Sequence, residues 1–223
     1  MAFEDILGQE KALGAIRKAL NNGKLAHAYL FVGPEGVGKR LSAVTLAKAM
    51  NCRSPRTDGD ACEKCPSCVK VNTSNHADVV LIEPEGDANP IIKIDQIREM
   101  QKKLRFRPAE GGRRACILDS ADLMNDQASN ALLKTLEEAP AETHIFLITS
   151  RPHRLLATIQ SRCQWVRFRP LSVENVSEIL KRKKSIDSEK VPFLASLAGG
   201  SAGRSELLSS DVDFQSRLDC IRF

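Results

Sequence analysis

Residues 33–40, Gly-Pro-Glu-Gly-Val-Gly-Lys-Arg, differ at one position from the phosphate-loop motif G-x-x-x-x-G-K-[ST]. In such a loop, backbone N–H groups cradle the phosphates and the lysine reaches the β- and γ-phosphates. Arg40 stands where a Ser or Thr hydroxyl would bind Mg²⁺. The sequence predicts a loop of phosphate-binding ancestry and leaves open whether it holds ATP or ADP. Its expected nucleotide-facing residues are Gly33, Gly36, Gly38 and Lys39.

Asp119 ends an apolar segment and could belong to the same site. In phosphate-loop ATPases an Asp at this point holds Mg²⁺, and a Glu often follows it and polarises the attacking water. Here the next residue is Ser120. Because the metal-binding hydroxyl and the general base are both missing, we expect this chain not to hydrolyse ATP. The alternative is that Asp119 is only a polar cap at the end of a strand.

Residues 52–68 contain four of the seven cysteines, in the pattern C-x₉-C-x₂-C-x₂-C. Four closely spaced thiolates suit a tetrahedral Zn²⁺ ion with no position left open for chemistry. Disulfides or unrelated thiols are the alternatives, and a reducing compartment favours zinc. The predicted ligands of this structural zinc are Cys52, Cys62, Cys65 and Cys68.

Arg162 lies in the triplet Ser-Arg-Cys, in a predicted loop just before the last apolar segment. It could be an ordinary surface arginine. It could also be an arginine finger, which needs a rigid position at a subunit edge so that the guanidinium meets a neighbour's γ-phosphate. Spacing alone does not separate the two interpretations.

Short apolar segments alternate with helical patterns over most of the chain, which predicts a mostly parallel sheet with helices on both faces. Asp95 is the expected N-cap of the helix at residues 94–104. The predicted strands lie at residues 28–33, 78–84, 114–120, 144–150 and 165–168, and the other predicted helices at 9–24, 40–52 and 127–140. The phosphate loop then lies between a strand and a helix, as its chemistry requires.

Only helical patterns follow Pro170. We therefore predict two domains, an α/β domain at residues 1–170 and a small helical lid domain at residues 171–223. The cysteine-rich module at residues 52–68 is an insert in the first domain.

The charge and hydropathy patterns exclude some classes of protein. The sequence has 33 basic and 28 acidic residues, which gives a net charge of +5. It has no secretory leader pattern and no apolar run that could cross a membrane, so a cytosolic protein is expected. A basic cluster suggests direct DNA binding as an alternative function, although such clusters are usually solvated faces. Its members are Lys102, Lys103, Arg105, Arg107, Arg113 and Arg114.

The motifs together resemble one known family. The imperfect phosphate loop, the four-cysteine insert, the segment NALLKTLEEAP at 130–140 and the Ser-Arg-Cys triplet follow each other in that order. In this order of motifs, the sequence resembles the AAA+ subunits of the bacterial DNA polymerase III clamp loader, and the resemblance covers residues 3–209. It implies a five-stranded parallel sheet followed by a helical lid.

Two kinds of subunit in that family are similar to this chain. The ATP-hydrolysing gamma/tau motor has an intact loop ending in Lys-Thr or Lys-Ser and an Asp-Glu pair. Arg40 and Ser120 depart from that pattern and favour the delta-prime kind, a stator that loads the sliding clamp onto primed DNA without hydrolysing ATP. The alternative is an active motor. Either kind implies gamma/tau and delta subunits, the clamp and, through the complex, primed DNA as partners.

The resemblance also implies roles for single residues. Arg162 would be the arginine finger donated to the adjacent motor subunit. Thr149 would be a sensor at the end of the fourth strand, and Arg204 a second sensor in the lid. The family has a third, helical collar domain, so a chain that stops at Phe223 is expected to be a fragment or to lack the collar.

Overall fold

The computed structural model describes residues 2–110, 112–182 and 190–210. Five parallel strands form one sheet in the order β2-β3-β4-β1-β5. The strands are β1 (Ala28–Val32), β2 (Val79–Ile82), β3 (Arg114–Leu118), β4 (Thr143–Thr149) and β5 (Gln164–Arg167). The central strands β1, β3 and β4 are apolar on both faces, as a sheet covered by helices on both sides requires.

Helices cover both faces of this sheet. The helices of this part are α1 (Glu10–Asn21), α2 (Lys39–Met50), α3 (Pro66–Asn72), α4 (Ile94–Leu104), α5 (Asp126–Glu137) and α6 (Ala157–Gln160). One hydrophobic cluster joins one face to α1 and α2, and a second joins the other face to α4 and α5. The predicted five-stranded parallel sheet with flanking helices is confirmed.

Three more helices follow the sheet and pack around a cluster of their own, which includes Leu171, Val176 and Leu194. They are α7 (Val173–Arg182), α8 (Val191–Leu197) and α9 (Ala202–Ser210). Within the described residues, no helix is both long enough and apolar enough to cross a membrane.

The predicted N-cap of α4 is wrong by two residues. Lys93 precedes the helix, and Asp95 lies inside its first turn. The side-chain oxygen of Gln96 accepts a hydrogen bond from the N–H of Lys93 at 2.9 Å, which closes the first turn earlier than predicted. The short helix α3 in the cysteine-rich insert was not predicted, although Pro66 occupies its first position as in many helices.

The basic cluster is not a uniform solvated face. Arg114 is buried, and its guanidinium lies 3.4 Å from the carboxylate of the fully buried Asp78. The same guanidinium donates to the carbonyl oxygens of Lys103, Phe106 and Arg107 at 2.8, 2.8 and 3.1 Å. Arg114 therefore organises the turn after α4. This turn exposes 74% of Phe106, an aromatic residue among the cluster's exposed cations.

Replacing Arg114 by Ala is expected to reduce the free energy of unfolding by about 3–5 kcal/mol, because the buried Asp78 would lose its charged partner and keep only the hydrogen bonds from two backbone N–H groups. Arg113→Ala is the matched control, since Arg113 pairs with the exposed Glu142 at 3.3 Å and such pairs contribute about 1 kcal/mol or less. Urea denaturation of both variants makes the comparison. Equal losses would show that the buried pair does not stabilise the turn.

Candidate functional site

A cleft of about 900 Å³ opens at the carboxyl edge of the sheet. In sheets of this type, ligands bind outside the carboxyl ends of the strands where the strand order reverses. The phosphate-loop segment follows β1, the Asp119 segment follows β3, and Thr149 ends β4, so three strands deliver their residues to one place. Apolar side chains, among them Ile6 and Ile179, line the rest of the cleft.

The loop has the backbone of a phosphate cradle. Gly36 and Gly38 have φ values of 72° and 97°, which favour glycine. The backbone N–H groups of Gly36, Val37 and Gly38 donate no hydrogen bond to any other described residue. The N-terminus of α2 follows directly, and its dipole favours a negative charge. The geometry therefore suits an anion.

Lys39 turns back onto its own loop. Its side chain is buried and donates to the carbonyl oxygen of Gly33 at 2.6 Å and to that of Pro34. Burial lowers the pKa of Lys39, while the carboxylates of Asp119 and Glu35 oppose that shift. The lysine thus lies in the cradle, held by main-chain oxygens.

Arg40 pairs with two carboxylates at the carboxyl edge. Its guanidinium hydrogen-bonds to Glu83, which follows β2, and lies 3.5 Å from Asp119, which follows β3. Burial raises the pKa of Asp119, and the charge of Arg40 opposes that rise. Asp119 accepts a hydrogen bond from the N–H of Ser120 at 2.9 Å and also faces the cation of Arg40 across the mouth of the loop.

Thr149 is buried, and two hydrogen bonds fix its hydroxyl. It donates to Asp122 at 2.6 Å and accepts from the N–H of Arg151 at 2.8 Å. The side chain of Arg151 also reaches Asp122, at 2.9 Å. These contacts join the end of β4 to the turn after β3 and hold the side chain of Thr149 in place, as the predicted sensor role would require.

Two of the predicted nucleotide-site residues, Gly33 and Arg204, are not among the residues that line the cleft. The side chain of Arg204 is exposed. The start of α9 contacts the phosphate loop at the cleft. There the N–H of Gly203 donates a hydrogen bond to the carbonyl oxygen of Gly36 at 3.2 Å. A Cβ on Gly36 would lie 2.3 Å from the hydroxyl of Ser201, so only glycine allows this contact.

Arg162 lies at the surface just after α6 and is not among the residues that line the cleft. Its guanidinium donates to the carbonyl oxygen of Thr158 at 2.9 Å and to the carboxylate of Glu137 at 2.5 Å. The side chain is 35% exposed. These two contacts orient the guanidinium at the surface, where the side chain remains partly exposed.

The four cysteines of the insert converge. Their sulfur atoms all lie within 4.8 Å of one another, and two of the sulfur pairs are 4.0 Å apart. Four sulfurs about 2.3 Å from a tetrahedral zinc ion would be separated by roughly 3.8 Å, so the donor set fits such an ion. Although burial raises the pKa of Cys65, hydrogen bonds from backbone N–H groups lower it to about 6, whereas burial raises the pKa of Cys52 and Cys68. The cluster, Cys52, Cys62, Cys65 and Cys68, could hold a metal ion.

The insert is joined to the rest of the domain by polar contacts. Buried Lys48 of α2 pairs with Glu63 at 2.5 Å. The carboxylate of Asp60 accepts a hydrogen bond from the N–H of Phe3 at 2.8 Å. Phe3 begins the short turn that leads to Ile6 in the wall of the cleft. The insert therefore supports the segment that forms this wall.

Two residues of these sites were missed in the sequence. Glu83 follows an apolar strand, as Asp119 does, and the same rule could have found it. Glu137 lies in the NALLKTLEEAP segment, but its contact with Arg162 joins residues 25 positions apart and leaves no local signal.

A parallel sheet in this order, with a glycine-rich loop after β1 and an acidic residue after β3, defines an AAA+-type phosphate-loop fold. A model of the family described as DNA polymerase III, delta subunit matches residues 8–172. The chain belongs to this family of bacterial clamp-loader AAA+ proteins.

Named relatives include two kinds of subunit. The chain is 33% identical to the DNA polymerase III subunit tau of Bacillus subtilis over 220 residues, covering 95% of this chain and 38% of that protein. It is also 33% identical to the subunit delta' of Bacillus subtilis over 214 residues, covering 96% of this chain and 63% of that protein. The chain thus spans less than two thirds of either relative.

Solved structures agree on the fold. A DNA polymerase III gamma-subunit-related protein from Thermotoga maritima superimposes with a TM-score of 0.57 at 25% identity, over 85% of this chain and 58% of that one. The Holliday junction branch migration motor RuvB of the same organism gives a TM-score of 0.60 at 17% identity, over 99% of this chain and 66% of that one. The second likeness concerns the fold alone.

Proposed function

We propose that this chain is the delta-prime-type stator of the DNA polymerase III clamp loader. In that role it joins gamma/tau and delta subunits and helps to load the sliding clamp onto primed DNA. Its own cleft does not hydrolyse ATP. The helices α7, α8 and α9 act as the helical lid over that cleft, which agrees with the contact between Gly36 and Gly203.

The observation that carries this proposal is the replacement of both groups that hydrolysis needs. Arg40 stands in the position of the metal-binding hydroxyl and pairs with Asp119 at 3.5 Å. Ser120 stands in the position of the general base. A site without the metal and without an activated water retains a cradle for phosphate but loses the means to cleave it.

In this proposal Arg162 acts outside its own subunit. Its guanidinium is oriented by Thr158 and Glu137 and remains partly exposed, as a group that reaches a neighbour must be. A planar guanidinium can contact two oxygens of a γ-phosphate at once and offset the charge of the transition state.

We also propose that the cysteine cluster binds one structural Zn²⁺ ion. All four donors are thiolate-forming sulfurs, which select a soft metal, and no fifth position is left for a substrate. The ion would hold a polar insert that has little apolar core of its own.

An active motor is the second candidate. The match to the tau subunit favours it, as do Lys39, Asp119 and Thr149, which are all in the cleft. In the motor interpretation, Asp119 would have to exchange Arg40 for a metal ion. This exchange would also have to occur without a hydroxyl ligand from the loop.

Phosphate release by the purified chain separates the two candidates. The stator is expected to show no turnover above background with ATP and Mg²⁺, with or without primed DNA, since Arg40 and Ser120 remove the metal ligand and the base together. Lys39→Ala serves as the control for contaminating ATPases. Turnover in the range of about 1 s⁻¹ or more, abolished by Lys39→Ala, would establish the motor instead.

A further inference from the structure

Two carboxylates meet at the carboxyl edge of the sheet, where phosphate-loop proteins hold a divalent metal ion. Glu83 and Asp119 follow the adjacent parallel strands β2 and β3, so the geometry of the sheet brings them together. The cation found between them is the guanidinium of Arg40, which hydrogen-bonds to Glu83 and lies 3.5 Å from Asp119.

The residues present do not fit Mg²⁺. This ion requires near-octahedral oxygen ligands at about 2.0–2.1 Å, and the loop normally supplies one of them as a hydroxyl. Position 40 offers no oxygen, and the hydroxyl of Ser42 is already bonded to the carbonyl of Gly38 at 2.8 Å. A divalent ion at this edge would also lie against the positive charge of Arg40.

We propose that Arg40 is a tethered cation that takes the place of the divalent metal ion. It offsets one of the two negative charges of Glu83 and Asp119 and links the start of α2 to the ends of β2 and β3. The cleft consequently keeps its arrangement without a bound metal. The carboxylate pair is a latent cation site that the native chain fills with its own side chain.

The proposal has a consequence for substitution. Arg40→Thr removes the guanidinium and supplies the hydroxyl of the motif, so Glu83, Asp119 and the new hydroxyl would form a site for a divalent cation. Arg40→Lys keeps a positive charge and serves as the matched control.

The test is to measure the binding of Mn²⁺ alone to the whole chain by electron paramagnetic resonance. Arg40→Thr is expected to bind Mn²⁺ at least about tenfold more tightly than the native chain and Arg40→Lys, since affinity follows the net charge and number of the ligands. Asp119→Asn in the Arg40→Thr background is expected to abolish the gain. Mn²⁺ should also raise the Tm of Arg40→Thr and leave that of the native chain unchanged.

Three results would overturn the inference. The first is a native chain that binds Mn²⁺ as tightly as Arg40→Thr does. The second is a higher Mn²⁺ affinity of Arg40→Thr that persists when Asp119→Asn is added. The third is the absence of Mn²⁺ binding in every variant. Because the measurement uses the isolated chain without nucleotide or partners, its failure would leave the proposed role in the clamp loader untouched.

Discussion

Replacing Arg162 by Ala is expected to reduce ATP hydrolysis at the one motor site next to this subunit by a factor of about 10³–10⁵, the range known for arginine fingers. In the proposed role, the substitution removes from the neighbour's γ-phosphate a partly exposed guanidinium that Thr158 and Glu137 orient. Single-site hydrolysis and clamp loading in a reconstituted complex are the measurements. Total hydrolysis would fall less, because other interfaces keep their own arginines.

Two further variants sharpen that experiment. Arg162→Lys should restore little activity, since a point charge does not reproduce the planar fork of a guanidinium. Arg154→Ala, at an exposed arginine eight residues earlier, should change neither rate. All three variants are expected to join the complex normally. Unchanged rates with Arg162→Ala would make Arg162 an ordinary surface arginine.

Replacing Cys68 by Ser is expected to remove the metal and to disorder the insert. The native chain should contain about one zinc ion by elemental analysis under reducing conditions, and the variant almost none, since structural zinc contributes on the order of 10–16 kcal/mol to the folding of small metal-bound modules. Hydrogen exchange should show lost protection at residues 52–72, with β3 and β4 still protected, because the core around α4 and α5 contains none of the four cysteines.

Cys163→Ser is the matched control for the zinc experiment, because Cys163 is buried on the opposite face of the sheet and lies outside the cluster. It should retain the full zinc content. A native chain that contains less than about half an equivalent of zinc would contradict the prediction, as would equal zinc loss in both variants.

Much of the architecture could be predicted from local patterns. Runs such as Ala28–Val32 and Thr143–Thr149 are short and rich in β-branched and aromatic residues, which favours buried strands, and the loop between β1 and α2 carries its own motif. The spacing of the four cysteines indicated their convergence, because C-x₂-C steps limit how far the sulfurs can separate. These signals are all contained in short segments.

The remaining features depend on contacts between distant segments. Asp119 could be assigned to the cleft from its place after a strand, but its pairing with Arg40 depends on the reach of a side chain from α2. Glu83 takes part only because β2 lies next to β3, and strand order is not encoded locally. The orientation of Arg204 depends on how α9 meets the loop, so a motif alone could not give it.

The contacts between the insert and the start of the chain also bear on the order of folding. Phe3 and Asp60 are joined by a hydrogen bond across 57 residues, and Arg17 pairs with Asp58 at 2.7 Å. Closing so long a loop is entropically costly until α1, β1 and α2 have shortened the path between its ends. We therefore expect the insert to dock late, after the sheet has begun to form. Weakening its contacts would chiefly accelerate unfolding and leave the folding rate nearly unchanged.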